Sequence, residues 1–344
     1  MHVSKKQKLE PCARLSVAPM MDWTDRHCRY LHRVISQNTL LYTEMVTATA
    51  ITRGDSARLL AFHPAEHPLA LQLGGADPEE LAAATRIACG LGFDEINLNV
   101  GCPSDRVQSG LFGAVLMKNP GLVGDCVQAM IEAAGGIEVT VKCRIGVDDQ
   151  DPHDTLPRFI EAVAERGVNT FAIHARKAWL QGLSPKENRQ VPPLDHALVV
   201  DMKHWFPALQ IVINGGITTL GMVEELLSQG VDGAMLGRAA YHDPYRVLGD
   251  ADRRLFGGAR RKSALGIVEE MLPYIEAHLA AGGRLAQVTR HMLGLFNGRA
   301  GARQWRRILS EDSHKPGAST DVVLRAVAEI HGPEDAADQP LAPV

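Results

Sequence analysis

Glu95-Ile-Asn-Leu-Asn-Val-Gly-Cys-Pro-Ser104 is the stretch that decides the fold. From Asp94 to Val100 acidic or amide residues alternate with apolar ones, and a glycine then breaks the run. The pattern is a strand that ends in a glycine turn. It delivers a thiol, Cys102, to a loop at the carboxyl end of that strand. In a parallel α/β barrel this edge is where chemistry is done, because the side chains there stand on a rigid base but face loops. Taken alone, Cys102 also fits the small buried hydrophobe that free cysteine usually is.

Seven further short β-rich runs flank this one, at 15–18, 40–45, 69–73, 139–143, 170–175, 211–214 and 233–237. Most are continuously apolar, as in strands buried on both faces. Helix starts lie between them. Asp77-Pro-Glu-Glu80 offers an N-cap, a proline at the first helical position and acids in the first turn. Asn119-Pro120 repeats the signal, and Thr218 or Thr219 caps a helix through Leu227. Eight strand–helix units ending near residue 250 predict an α/β fold, a (β/α)8 TIM barrel over 1–250. A doubly wound sheet is the structural alternative, but Ala18-Pro-Met-Met21 stands where a Gly-x-Gly-x-x-Gly would follow the first strand. After Asp250 no strands are expected. Helical spacing at 262–281, 284–296 and 302–309 predicts a small helical domain over 251–315. Residues 316–344 are expected to form a tail, Pro-, Ala- and acid-rich from Gly332.

With 344 residues and 45% hydrophobic content, the chain has room for one large and one smaller domain. A net charge of −4 argues against a general nucleic-acid coat protein but leaves a local basic patch open. Cysteines at 12, 28, 89, 102, 126 and 143 include no Cys-x-x-Cys, which suits reduced thiols better than a zinc site. The polar, Lys-rich N-terminus has no apolar signal core, and no stretch is long and apolar enough to span a bilayer. A cytoplasmic, monomeric protein without membrane or metal is expected. His63 and His67 have metal-compatible spacing, but they flank Pro64 in a loop.

The strand ends read Pro19 and Met20, Glu44, Gln72, Asn99, Lys142, His174, Asn214 and Gly237. Lys142 interrupts an apolar strand and needs an anion: Glu44 across the barrel, or an anionic cofactor or intermediate. His174 on the next strand is a second donor to the same ligand. Asn214-Gly215-Gly216 and Gly237-Arg238 follow strands seven and eight, where barrels commonly hold phosphate. The set asks for a phosphorylated cofactor with an electron-rich head group. Residues 246–315 carry thirteen Lys or Arg against seven Asp or Glu, with Arg303, Arg306 and Arg307 at helical spacing. That is a solvated face or a phosphate-contacting one.

Several stretches together resemble the tRNA-dihydrouridine synthases, the A-type subfamily above all. They are Ala18-Pro-Met-Met-Asp-Trp-Thr-Asp-Arg26, Leu41-Tyr-Thr-Glu-Met45, Leu71-Gln-Leu-Gly-Gly75, Glu95 through Arg106, Val141-Lys-Cys-Arg-Ile-Gly146, His174-Ala-Arg-Lys-Ala-Trp-Leu180, Ser184-Pro-Lys-Glu-Asn-Arg189 and Ile213-Asn-Gly-Gly-Ile217. Gly-Cys-Pro-Ser marks the family, and Ser-Pro-Lys-Glu-Asn-Arg the A type. The resemblance runs from about residue 15 to 315. It implies FMN in the barrel, NADPH as co-substrate, and uridines at positions 20 and 20a of the tRNA D-loop as targets. Pro19, Met20, Met21, Gln72, Lys142, His174, Asn214, Gly215, Gly216, Gly237 and Arg238 would contact FMN. Cys102 would be the general acid, and Asn99, Lys186, Arg189, Arg303 and Arg306 would touch tRNA. Cys143, where the family often has Thr, is a small-for-small departure.

The implied reaction sends hydride from reduced FMN to uracil C6 and a proton from Cys102 to C5. A free thiol, with pKa ~8.5, is protonated at neutral pH and suits donation. Lys142 would stabilise the reduced flavin, NADPH would dock transiently over it, and the target base would be turned out of the RNA. A flavin barrel acting on a small molecule explains Cys102, Lys142 and the phosphate loops equally well, but not the basic helices or Lys186 and Arg189. An RNA-binding protein with a vestigial barrel is opposed by the intact strand-end residues.

Overall fold

Eight parallel strands close into a barrel in chain order: β1 (Leu15–Val17), β2 (Leu40–Thr47), β3 (Leu69–Gly74), β4 (Glu95–Val100), β5 (Glu138–Arg144), β6 (Thr170–His174), β7 (Gln210–Asn214) and β8 (Gly233–Leu236). The structure is a computed structural model and describes residues 14–104, 112–258 and 261–332. Strand ends match the sequence reading to within a residue except at β2, which runs two residues further. There a bulge puts four residues, Tyr42 to Met45, against three of β3, Ala70 to Gln72. The Thr43 hydroxyl inside the bulge accepts the Gln72 N–H at 3.1 Å, so the ladder bond is replaced rather than lost.

The intervening helices start where their caps dictate. Asp77 accepts from the Glu80 N–H, Asn119 from Leu122 and Thr219, not Thr218, from Met222. Their apolar faces pack on the outer faces of the strands, the main core of the molecule. A second, small cluster fills the barrel itself: Ala18, Leu40, Tyr42, Ala70, Ala172, Val212 and Met235. One side of the barrel interior is polar instead. Glu95, Asn97 and Asn99 of β4 and Thr140 of β5 are all buried.

Past the barrel, helices Ala264–Ala280, Leu285–Thr289 and Ala302–Asp312 form as predicted in kind, although the second is shorter than the spacing over 284–296 suggests. The chain turns after Thr289 so that Arg290 and His291 reach Asp25, the N-cap of the first barrel helix. Tyr274 stacks on Tyr30 and its hydroxyl meets His27 at 2.8 Å, joining Ala264–Ala280 to the same helix. The sequence reading of 316–344 as a tail needs correction: Thr320–Ala328 is a helix that buries Val322, Val323 and Ala326. Arg325 pairs with Asp312 of the preceding helix at 2.9 Å. The apolar stripe at 322, 323 and 326 is short and follows Pro316-Gly317, which hides it. Residues from 333 on lie outside the described residues.

Among the described residues, no helix is long and apolar enough to cross a membrane, and no three His, Cys, Asp or Glu side chains are grouped to hold a metal. The five cysteines described are free thiols.

Candidate active site

Asn99, the penultimate residue of β4, organises the Cys102 loop. Its Oδ1 accepts the backbone N–H groups of Gly101 and Cys102, both at 3.0 Å. This side-chain turn bends the chain sharply, as Asn does when it mimics a backbone turn. The Cys102 carbonyl takes the Ala114 N–H at 2.9 Å, and Sγ lies 3.4 Å from the Ser104 hydroxyl. Cys102 is half-buried and fixed at its backbone.

Next to Asn99, register pairs it with Lys142 on β5, and Arg144 with His174 on β6. Burial, then the Arg144 charge, pull the Lys142 ammonium down to about 8. Burial also pulls Arg144 down to about 10. His174 is driven well below the ordinary histidine value by burial and then by Arg144, Lys142, Arg176 and Arg189. Its ring is therefore neutral, and among the described residues its buried Nδ1 has no hydrogen-bond partner. Arg144 donates to the carbonyls of Gly101, Lys177 and Asn188, Arg176 to that of Pro192, and Arg238 to that of Arg189. Among the described residues, no carboxylate pairs with Lys142, Arg144, Arg176, Arg189 or Arg238. The Lys142–Glu44 pair allowed by the sequence does not form. Glu44 sits inside the β2 bulge; burial raises its pKa, and a bond from the Asp22 backbone partly offsets this. So many cations in partial burial repel one another, and an anion among them relieves that cost.

The glycines supply the complementary backbone. Gly215 and Gly216 have φ of 112° and 70°, which disfavour any side chain. A Cβ on Gly216 would lie 2.4 Å from Leu194 Cδ1, and one on Gly215 3.2 Å from His174 Nε2. The close approach leaves room for bare backbone only. Asn214 is pinned by its Nδ2 to the Met235 carbonyl at 2.7 Å, and the Gly215 carbonyl bonds His196 at 2.7 Å. A Cβ on Gly237 would meet only Met20 Sδ, so the β1 loop reaches over the end of β8. Met20 is held by reciprocal bonds between its backbone and the Thr24 hydroxyl, Pro19 is half-buried, and Met21 is 55% exposed.

One rim thus gathers bare amides, cations that meet no carboxylate among the described residues, a neutral imidazole, the Gln72 amide and an apolar Pro19–Met20 edge. This donor set fits an anionic, flat, polar-edged group such as FMN. Comparison with known proteins gives the chain a lineage. The family described as "Dihydrouridine synthase (Dus)" matches residues 16–330. The chain belongs to the dihydrouridine synthase family. It is 57% identical over 319 residues to the tRNA-dihydrouridine(20/20a) synthase of Vibrio parahaemolyticus, covering 92% of this chain and 97% of that one. With the tRNA-dihydrouridine(20/20a) synthase of Escherichia coli K12 it shares 55% over 316 residues, 91% and 90% of the two chains. Among solved structures it resembles morphinone reductase (TM-score 0.50, 14% identity, 74% of this chain and 88% of that one). It also resembles an old yellow enzyme homologue from Zymomonas mobilis (0.50, 13%, 72% and 90%). At such identities these two share the barrel only.

Placed on this family member, Lys186 and Arg189 flank a short turn, Glu187–Arg189, that is nailed to the rim by a residue the sequence did not single out. Buried Asn188 accepts the Trp179 N–H at 2.7 Å and donates to the carbonyls of Trp179, Leu183 and Ser184. Arg144 then ties that turn to the Cys102 loop through the Asn188 and Gly101 carbonyls. Arg303 and Arg306 lie elsewhere, on the exposed face of Ala302–Asp312, whose other face buries Ala302, Trp305 and Leu309. Arg306 is steadied by Asn297 Oδ1 at 3.0 Å. Arg144, Arg176 and Asn188 were missed as site residues. The signal for Arg144 was present: it repeats, two positions on, the oddity of a cation in the β5 strand.

Proposed function

We propose that this chain reduces the C5=C6 bond of uridine in the tRNA D-loop, at positions 20 and 20a, to give 5,6-dihydrouridine, with FMN bound in the barrel and NADPH as reductant. The observation that carries the reading is the juxtaposition at one rim: cations and a neutral imidazole that, among the described residues, have no acid partners, beside a loop that presents a single thiol. Bound there, FMN supplies hydride for uracil C6.

The chain's own residues divide the remaining work. The Gly215 and Gly216 amides, with Asn214, Gly237 and Arg238, bind the phosphate. His174, neutral, gives or takes one hydrogen bond there without adding charge. Pro19, Met20 and Met21 cover the ring, Gln72 binds its polar edge, and Lys142 balances negative charge on it. Cys102 Sγ holds the proton destined for C5. Acting as a nucleophile would require a neighbouring base, and its one hydrogen-bond partner among the described residues is the Ser104 hydroxyl. Asn99 fixes the loop and contacts the target base. The base is extruded from the folded RNA to reach the thiol, while Lys186, Arg189, Arg303 and Arg306 contact the RNA. NADPH docks transiently over the same flavin, so NADPH and tRNA alternate, and the kinetics are ping-pong.

The test is mass-spectrometric mapping of unmodified tRNA after incubation with the purified protein, FMN and NADPH. A gain of two hydrogens at D-loop uridines is expected. NADPH oxidation with reduction of a small enone or free uracil, and no change in tRNA, would overturn the substrate class.

A further inference from the structure

A one-way hydrogen-bonded chain descends inside the barrel from the Cys102 loop. Gly101 and Cys102 donate to Asn99 Oδ1 at 3.0 Å. Asn99 Nδ2 donates to Gln72 Oε1 at 2.8 Å, and Gln72 Nε2 to Asn97 Oδ1 at 2.8 Å. Asn97 Nδ2 donates to Thr140 Oγ1 at 2.7 Å, and Thr140 passes its single proton to Glu95 Oε1 at 2.6 Å. Tyr42 donates to the same oxygen from the far side at 2.5 Å. All six side chains are buried, and they come from four strands, β2 to β5.

The two ends fix the direction of the middle. At the top, two backbone N–H groups can only donate. At the bottom, a carboxylate can only accept. Every amide between must therefore turn its oxygen up and its nitrogen down. Asn99 Oδ1 has spent both lone pairs, and Asn99 and Gln72 each keep one N–H for a ligand. We infer that Glu95 is a positioning residue: the acceptor end of this chain, it holds Asn97, Gln72 and Asn99 in the orientation that offers N–H groups, rather than carbonyls, to the flavin and the uracil.

This rests on the flavin reading above and deepens it. Burial pushes the Glu95 carboxyl up to about 7, against the bonds from Thr140 and Tyr42 and with the charges of Glu138 and Asp94; Asp94 is itself bonded to His67. Above that pH the chain ends in a full negative charge, and successive dipoles polarise one another. Below it a protonated carboxyl can donate back to Thr140, and the constraint on the amides relaxes.

The experiment titrates the full-length wild-type, E95Q, T140V and Y42F proteins with FMN, reading the flavin spectrum and its Kd across neutral pH. In the wild type, both change in a step near pH 7, distinct from the Lys142 step near 8 that all four proteins keep. E95Q and T140V, close to isosteric, lose the step, and Kd above it weakens on the order of fivefold, the worth of one hydrogen bond of ~1 kcal/mol. Y42F is the control. It removes a bond to charged Glu95 but leaves the path to the site intact, so the step persists with its midpoint raised. A T140V protein that titrates like the wild type overturns the inference, as does an E95Q protein that keeps the step or a Y42F protein that loses it. The two readings fail differently. A wild-type chain that does not bind FMN refutes the cofactor reading, whereas FMN binding with no step near pH 7 refutes only the role of Glu95.

Discussion

Two groups of buried or half-buried cations stand in this molecule, and they differ in whether the chain places an acid among them. Arg29 and Arg33 lie one turn apart on the helix Arg26–Ile35. Arg29 pairs with buried Glu66 at 2.6 Å and donates to the Thr24 and Ala61 carbonyls. Arg33 donates to the carbonyls of Ser36, Thr39, Glu66 and Pro68. At the rim, Lys142, Arg144, Arg176, Arg189 and Arg238 meet carbonyls or one another and, among the described residues, no acid. A cation that holds the fold brings its counter-charge from the chain. A cation that holds a ligand waits for the ligand to bring it.

The contrast breaks most visibly at the thiol between the rim cations. Cys102→Ala is expected to lower uridine reduction on natural tRNA by ~10²–10⁴-fold, the worth of a lost general acid, while FMN and NADPH oxidation survive. Loss of flavin from that variant would show that Cys102 belongs to the binding set instead. At the structural pair, Glu66→Ala strands the Arg29 charge and should cost about 3–5 kcal/mol of stability in denaturant unfolding. Its FMN affinity, once folded, should be unchanged. Arg238→Met is the converse. It should weaken FMN binding by ~10–100-fold, as loss of a charge-assisted bond does, and leave the apoprotein's melting temperature unchanged or raised, because it relieves repulsion at Arg176 and Arg189.

Acid sharpens the same contrast. Burial lowers His27 to about 4 and His32 to about 3, both on the helix that carries Arg29 and Arg33. Their unfolded value is 6.5, so the unfolded chain takes up protons first as pH falls. Their stabilising contribution is complete above pH 6.5 and drains away as pH falls toward 4. The melting temperature should decline over that window, and His27→Asn should flatten the decline; an unchanged slope would remove His27 from the cause. The smallest effects are expected at Arg303 and Arg306. Each alanine substitution should raise KM for tRNA a few-fold and reduce the salt dependence of binding by about one unit, without changing FMN affinity.

Much of this was legible in the chain because the barrel repeats one rule eight times: an apolar run, a polar strand end, a cap, a helix. Gln72, Asn99, Lys142, His174 and the two glycine loops could be placed by that rule alone. Three things could not. The β2 bulge adds a residue that no local pattern requires. The Thr320–Ala328 helix rests on three apolar residues, and it packs chiefly on the preceding helix, Ala302–Asp312. The polar column from Asn99 to Glu95 looks, in sequence, like plain alternation; that these side chains meet across four strands is set by barrel closure. Arg29 and Arg144 illustrate the limit best. Arg29 stands among Arg26, His27, His32 and Arg33, and Arg144 in an apolar strand, yet only the fold shows that the first has an acid beside it.

The most direct test uses a single turnover. The FMN-loaded protein is reduced without oxygen, excess NADPH is removed, and unmodified tRNA is added while the flavin absorbance is followed. Reoxidation with one dihydrouridine formed per flavin, at a D-loop uridine, is the expected result. A flavin that stays reduced in the presence of tRNA, yet is reoxidised at once by a small enone, would contradict it.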